Sequence, residues 1–399
     1  MFHTECLELG FESKILSLTG DYQDGNVIYL KSSFYRKFDL SKIIRKLFFN
    51  FNSKYYYYPD WNTNIVTVNK SIKAVGFSPD IIFVYWTKLA FNFEFIQKLS
   101  DYYEAQIVFV LLDMGHLTGG CHYSFDCNLY TSGCGNCPVM PIRTSWDLSS
   151  MVINNRMKSL KKINASILAP TTLLLKQSLN SYLFSDVKKF LIPFPVNEEI
   201  FTNGCRIFAR QILGLPLDKK IILFGASKLS EQRKGINLLI DSLALLKNMQ
   251  SEIENQNCFL LIIGKIDVDL HLPFQYKSLG YQSSDEDLSL VFQACDLFLS
   301  PSVEDSGPLM VNFSLMCGRP VVAFNIGVAK DFVINGSTGY LANLPSVFDY
   351  VDGIIQILNL NDIEWNQYSN RSRQLALSRF SMKVHKLKLL KLVNELYEN

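Results

Sequence analysis

Short, unbroken apolar runs recur along the chain at residues 80–86, 106–112, 221–224, 258–263, 296–300 and 320–324. They lack the alternation of a strand with one wet face, so they predict strands buried on both sides, as in a parallel sheet. The stretches between them carry helical spacing. Residues 236–247, for example, are apolar at 236, 239, 240, 243 and 246, which marks one face of a helix. Alternation of the two patterns predicts βαβ units and an α/β fold.

The alternation runs through two series, separated near Ile192-Pro-Phe-Pro-Val196, where the prolines favour extended backbone. This predicts one domain over residues 1–195, a second over 196–380, and a closing helix over 381–399. The stripe of that helix passes through Val384, Leu387 and Leu390, and the helix is expected to pack across the domain junction.

Composition narrows the picture. A chain of 399 residues is too long for one compact core, which supports two domains. At 48% hydrophobic and 19% charged residues it is an ordinary packed protein and not a disordered one. The net charge of +2, from 39 basic and 37 acidic residues, argues against a nucleic-acid partner. No apolar run approaches the roughly eighteen residues of a membrane span. The opening segment carries charge and lacks the apolar core of a secretory leader. Nine cysteines, scattered except for a cluster between Cys121 and Cys137, do not form the framework of a secreted disulfide protein. The cytoplasm is the expected compartment.

Candidate chemistry lies after the later strands. A strand ending at Ser300 runs into a polar turn, and Pro308 opens an apolar stretch to Cys317 before Gly318 and a return strand. Proline suits the first helical position and glycine the stop. The helix over 308–317 has no polar face and is expected to be buried. Its N-terminus would stand at the C-terminal end of a parallel strand, where backbone N–H groups favour an anion. Glu304 beside it would repel phosphate unless it faced neutral groups such as sugar hydroxyls. The plainer alternative is a tight loop with a capping carboxylate. The second element, residues 224–235, ends in Arg233-Lys234-Gly235 between a strand and a helix. Its basic pair could neutralise a diphosphate without a metal, or be ordinary surface charge.

These segments together resemble the retaining GT-B glycosyltransferases of family four. The resemblance rests on Glu304-Asp-Ser-Gly-Pro-Leu-Met-Val-Asn312 followed by Met316-Cys-Gly-Arg-Pro-Val-Val-Ala323, and it runs through most of residues 205–345. It implies two Rossmann-like domains facing a cleft, and a retaining transfer of sugar from a UDP- or GDP-sugar to a glycan or lipid-linked acceptor, as in polysaccharide or glycoconjugate assembly. It implies that Arg233 and Lys234 hold the diphosphate and that Glu304 fixes the donor sugar. Ser306, Gly307, Pro308 and Leu309 would line the donor, with Tyr281 on the nucleobase side. Asn312 stands where the family carries a second glutamate for the ribose, and Ala226-Ser227 stand where a further arginine is common, with Lys228 a substitute candidate. The basic pair serves phosphate departure, so no catalytic metal is expected. A catalytically inactive nucleotide-sugar-binding subunit and a sugar-nucleotide epimerase on the same fold remain as alternatives.

The N-terminal half is less regular. The run Asp113-Met-Gly-His-Leu-Thr-Gly-Gly-Cys-His122 follows a strand and, with Cys127, Tyr130, Cys134 and Cys137, resembles a loop found in a subset of these enzymes associated with surface polysaccharides. Asp113 or His122 is a candidate for orienting acceptor or donor; the alternative is an aspartate that caps the loop. The spacing C-x5-C-x6-C-x2-C over Cys121, Cys127, Cys134 and Cys137 could supply a structural zinc; a reduced cluster, a disulfide or a redox pair at Cys134 and Cys137 stay open. Residues 31–58 interleave Lys31, Arg36, Lys37, Lys42, Arg45, Lys46 and Lys54 with aromatics. That composition suits an anionic membrane surface or an aromatic-packed element with a solvated basic face. Residues 6–10 resemble the end of the family's first helix and residues 14–18 its second strand, so the first strand and its glycine-rich loop are expected to be missing.

Overall fold

The computed structural model describes residues 2–17, 24–30, 53–58, 67–86, 91–249, 257–307 and 309–398. The chain divides into two units: Met1–Pro170 with Leu174–Ile192 and Leu389–Asn399, and Pro193–Lys388 with Thr171–Leu173.

The first unit contains α1 (Phe2–Glu8), β1 (Ile15–Ser17), β2 (Val27–Tyr29), α2 (Val68–Val75), β3 (Ile81–Val84), α3 (Phe93–Tyr103), β4 (Gln106–Val110), α4 (Leu148–Leu160), β5 (Ala165–Ala169), most of α5 (Thr172–Leu179) and β6 (Lys188–Leu191). A short parallel pair joins β1 and β2, and a parallel sheet runs β3-β4-β5-β6. The central strands β4 and β5 are buried from Ile107 to Val110 and from Ser166 to Ala169. Their apolar side chains form a core with Phe93, Ile153, Leu174 and Phe184. Asn92 caps α3 and Asp147 caps α4 through side-chain bonds to backbone N–H groups, which satisfies donors that the first helical turn leaves open.

The second unit contains α6 (Arg206–Leu213), β7 (Lys220–Lys228), α7 (Ile236–Asn248), β8 (Cys258–Lys265), β9 (Tyr276–Ser278), α8 (Asp285–Ala294), β10 (Leu297–Ser300), α9 (Leu309–Met316), β11 (Val321–Phe324), α10 (Ala329–Phe332), β12 (Gly339–Ala342), α11 (Val347–Leu358), α12 (Asp362–Phe380) and the start of α13 (Met382–Tyr397). Its strands form one parallel sheet in the order β12-β11-β10-β7-β8-β9. Counted within the unit this is 3-2-1-4-5-6 read from β9, the order of the dinucleotide-binding folds. The chain reverses its winding between β7 and β10, which pair directly through Leu297↔Ile222 and Leu299↔Phe224. Ligands in such sheets bind beyond the carboxyl ends of the strands at that point. Two cores cover the faces: Leu223, Val291, Phe298 and Leu315 on one side, and Phe224, Leu243, Leu299 and Tyr350 on the other.

The sequence pattern misplaced one helical face. In α13 the stripe through Val384, Leu387 and Leu390 is not the buried one, and Leu387 is 62% exposed. His385, Leu389, Leu392, Val393 and Leu396 are buried instead, at the i, i+4, i+7, i+8, i+11 positions of a single face. Residues up to Lys388 group with the second unit and Leu389 onward with the first. Among the described residues, no helix is long and apolar enough to cross a membrane.

Candidate functional site

The loops that leave β7 and β10 stand on either side of the reversal point. The first closes as a short 3-10 turn, Gln232–Lys234, in which Lys234 N–H donates to Glu231 O and Gly235 N–H to Gln232 O. Gly235 has φ +68°, and a Cβ there would lie 1.9 Å from the Pro301 carbonyl oxygen. Only glycine permits both the left-handed backbone and the close approach of the two loops. The β10 loop returns the contact, since Val303 and Glu304 N–H groups lie 2.8 and 3.3 Å from the Arg233 carbonyl oxygen.

The side chains complete this lacing. Asp305 Oδ2 accepts from Arg233 Nη1 at 3.0 Å and from Lys234 Nζ, while its Oδ1 accepts the Gly307 N–H at 3.2 Å. Arg233 Nη2 also lies 2.7 Å from Glu231 Oε2. Asp305 is buried, at 6% exposure. Burial by itself would raise its carboxyl, but the charges of Lys234 and Arg233, with the hydrogen bonds from Lys234 and Gly307, hold it below the usual carboxylate range. Asp305 was not singled out from the sequence, because its pairing with a basic dipeptide some seventy residues away (|i−j| of 72 and 71) leaves no local pattern.

The remaining donor-side candidates are placed as follows. Glu304 is half-buried in the turn that follows β10. Ser306 is buried, and its carbonyl accepts the Thr171 hydroxyl at 3.0 Å. Pro308 lies outside the described residues. Leu309 opens α9 and is 39% exposed. Asn312 faces inward at 2% exposure, and its Oδ1 finds no hydrogen-bond partner, an unusual condition for a buried amide. Gly318 (φ +68°) ends α9, and Arg319 N–H reaches back to Ser314 O at 2.8 Å. Tyr281 is 70% exposed beside Gly280, whose carbonyl accepts the Gly264 N–H at 2.8 Å. Lys228 is exposed at the end of β7 and is not drawn to Asp305.

In the first unit, Asp113 does two things. Its Oδ1 accepts the Gly115 N–H at 2.7 Å, as a loop-capping aspartate would, and its Oδ2 lies 2.8 Å from His122 Nδ1. Trp86 Nε1 lies 3.0 Å from the same Nδ1. That nitrogen either donates to Asp113 or accepts from Trp86, so the two contacts select opposite tautomers. Sequence reading also missed Arg156. From α4 its Nη1 reaches the carbonyls of Gly115 at 2.6 Å, Thr118 at 2.5 Å and His116 at 3.4 Å.

Cys121, Cys127, Cys134 and Cys137 all line one small cavity of about 20 Å³, with Tyr57, Ser124 and Ser149 among its other walls. Burial pushes the thiols of Cys121 and Cys137 up, and that of Cys134 to about 12. Among the described residues, no three His, Cys, Asp or Glu side chains are arranged to hold a metal ion. Tyr55, Tyr56 and Tyr58 set their ring edges against Phe125, Tyr123 and His122, and Tyr57 bridges Cys121. Lys54 stands over the Phe125 ring at 4.5 Å. The rest of the basic segment, Lys31, Arg36, Lys37, Lys42, Arg45 and Lys46, lies outside the described residues.

This is the GT-B fold of glycosyltransferases. A glycosyltransferase of Rickettsia africae superposes on the whole chain and on 93% of its own, with a TM-score of 0.66 at 15% identity. The Anabaena protein HepE in complex with UDP-glucose superposes with a TM-score of 0.59 at 15% identity, over 82% of each chain. Residues 206–375 match the family model described as glycosyl transferases group 1. Curated relatives include the D-inositol 3-phosphate glycosyltransferases of Mycolicibacterium smegmatis and Mycobacterium leprae. The first is 27% identical over 41% of this chain and 38% of the relative, the second 28% over 49% and 47%. The aligned part of this chain thus spans less than half the length of each.

Proposed function

We propose that the chain is a retaining glycosyltransferase that moves a sugar from a UDP- or GDP-sugar to a hydroxyl of a glycan or lipid-linked acceptor, in polysaccharide or glycoconjugate assembly at the cytoplasmic side. The observation that carries this reading is the meeting of Arg233 and Lys234 with the Glu304–Gly307 turn at the reversal point of a 3-2-1-4-5-6 sheet. The family match over the same residues supports it.

In this reading Lys234 and Arg233 neutralise the departing diphosphate, with the Gly307 end of the turn beside them. Glu304 accepts hydrogen bonds from the donor sugar's hydroxyls, which avoids placing its charge on phosphate. The orphaned Oδ1 of Asn312 takes a ribose hydroxyl, the polar partner that a buried carboxamide requires. Tyr281 offers an exposed ring to the base. Asp113, with His122, orients the acceptor. The bond from the anomeric carbon to the diphosphate oxygen breaks as the acceptor oxygen attacks from the same face. The acceptor proton passes to the departing phosphate, so no separate base is needed.

A thermal-shift panel of UDP- and GDP-sugars followed by turnover assays tests this. A donor at a hundred times its dissociation constant stabilises by about 2.7 kcal/mol. Removal of a charge-stabilising group by Lys234→Ala or Glu304→Ala lowers transfer by about a hundredfold or more. Unchanged transfer in both variants would defeat the assignment. Conversion of the donor with no acceptor present would point to an epimerase.

A further inference from the structure

We propose that Asp305 is a positioning residue of this diphosphate site, a built-in counter-ion that holds Arg233 and Lys234 ready and yields Lys234 to the departing phosphate. The inference rests on the donor-site reading above and adds how the site is organised before donor arrives.

A buried carboxylate beside an incoming diphosphate is adverse on charge alone, so its presence calls for a compensating role. Three contacts supply one. Oδ2 is shared by both cations, and Oδ1 binds the Gly307 N–H. A single carboxylate thereby fixes the two cationic tips of the β7 loop against the turn of the β10 loop. Adjacent like charges would otherwise repel and swing toward water, losing the orientation that electrostatic stabilisation depends on.

The contacts also divide the labour between the cations. Arg233 is gripped on two sides, Nη1 by Asp305 and Nη2 by Glu231. The Lys234 ammonium has three N–H donors, of which the bond to Asp305 occupies one. Lys234 therefore keeps donors for phosphate oxygens while Arg233 acts as a fixed wall. The two positive charges (Arg233, Lys234) are matched in direct contact by two negative ones (Glu231, Asp305), and Glu304 on the same turn adds a further negative charge. Ground-state nucleotide binding gains little from long-range charge, and the benefit of the fork falls on the state in which charge develops on the leaving phosphate.

The test separates binding from turnover. Affinity for the intact donor by calorimetry without acceptor (a UDP- or GDP-sugar, whichever binds the wild type), transfer rate and melting temperature are measured for wild type, Asp305→Asn and Asp305→Glu. Asp305→Asn removes a negative charge and the fork together. It is expected to bind the donor as tightly as wild type or more tightly, while kcat falls about tenfold or more. Asp305→Glu keeps the charge but displaces the oxygens by one methylene. It is expected to keep affinity and lose kcat, and it carries the comparison if the asparagine variant does not fold. Retention of kcat within about threefold in both variants would overturn the inference, as would equal losses of affinity and kcat. A wild-type protein that neither binds a donor nor transfers sugar would instead sink the functional reading beneath it.

Discussion

Arg156 offers a direct test of how the Asp113–His122 loop is held. The guanidinium is buried, at 4% exposure, and one nitrogen serves the carbonyls of Gly115 and Thr118 at 2.6 and 2.5 Å, with His116 at 3.4 Å. Its carbon lies 5.0 Å from the Phe93 ring centroid. Arg156→Met keeps much of the volume and removes every donor. Each buried carbonyl left without a partner costs about 1–3 kcal/mol, and the lost cation–π contact adds about 1 kcal/mol. With two strong bonds counted and the weak third left out, the expected destabilisation is about 3–7 kcal/mol. For a unit of this size each kcal/mol moves the midpoint by about 2–4 °C. Urea denaturation followed by circular dichroism gives the total, and peptide-resolved hydrogen exchange locates it. Protection should fall first over residues 113–122. A variant within about 1 kcal/mol of wild type, with unchanged exchange there, would refute the view that Arg156 carries this loop.

Two further outcomes are expected. Asp305 has a carboxyl held below its ordinary value of 3.8 by Lys234 and Arg233 against the opposing effect of burial. Its contribution to stability is therefore fully present above that value and is lost as pH falls through 3.8 to the depressed folded-state value. Denaturation curves below pH 4 should show wild type losing stability more steeply than Asp305→Asn, and parallel curves would contradict this. The second concerns the cysteines. Cys205 is exposed, and the N–H groups of Phe208 and Ile207 lower its thiol, whereas burial raises Cys134 to about 12. Iodoacetamide at pH 8 should label Cys205 first and leave Cys121, Cys134 and Cys137, whose thiols burial raises, unmodified by peptide mass spectrometry. The four thiols around one cavity also allow a direct test of the four-thiolate zinc reading. One equivalent of zinc by native mass spectrometry, whose removal by a chelator lowers the melting temperature, is the outcome that supports it, and a metal-free mass with all four thiols reduced would end it.

How much of this was legible in the sequence depends on whether a feature is local. Strands β7, β8, β10 and β11 are central and buried on both faces, so each wrote an unbroken apolar run. Strand β5 is equally buried, but its Ala165-Ser-Ile-Leu-Ala169 composition is too mildly apolar to stand out. At the sheet edges β6 carries Lys188 and Lys189, and β9 is only Tyr276–Ser278; an edge needs less burial and leaves less signature. The Arg-Lys-Gly and Glu-to-Asn motifs were readable because each is contiguous in the chain, the first in one turn and the second in a turn and the start of α9, and the reason for Gly235, its approach to the Pro301 carbonyl, emerges only once the two loops meet. The cysteine cluster draws the line most sharply. Spacing reports that four sulfurs are close along the chain, but the direction of each side chain depends on backbone winding. Here Gly133, Cys134, Gly135 and Asn136 all take positive φ, a run that glycine supplies at two positions, that asparagine tolerates better than most residues, and that Cys134 adopts against its preference. That winding sets where each sulfur points and gathers the four around a shared cavity. A ligand count taken from spacing alone is blind to it.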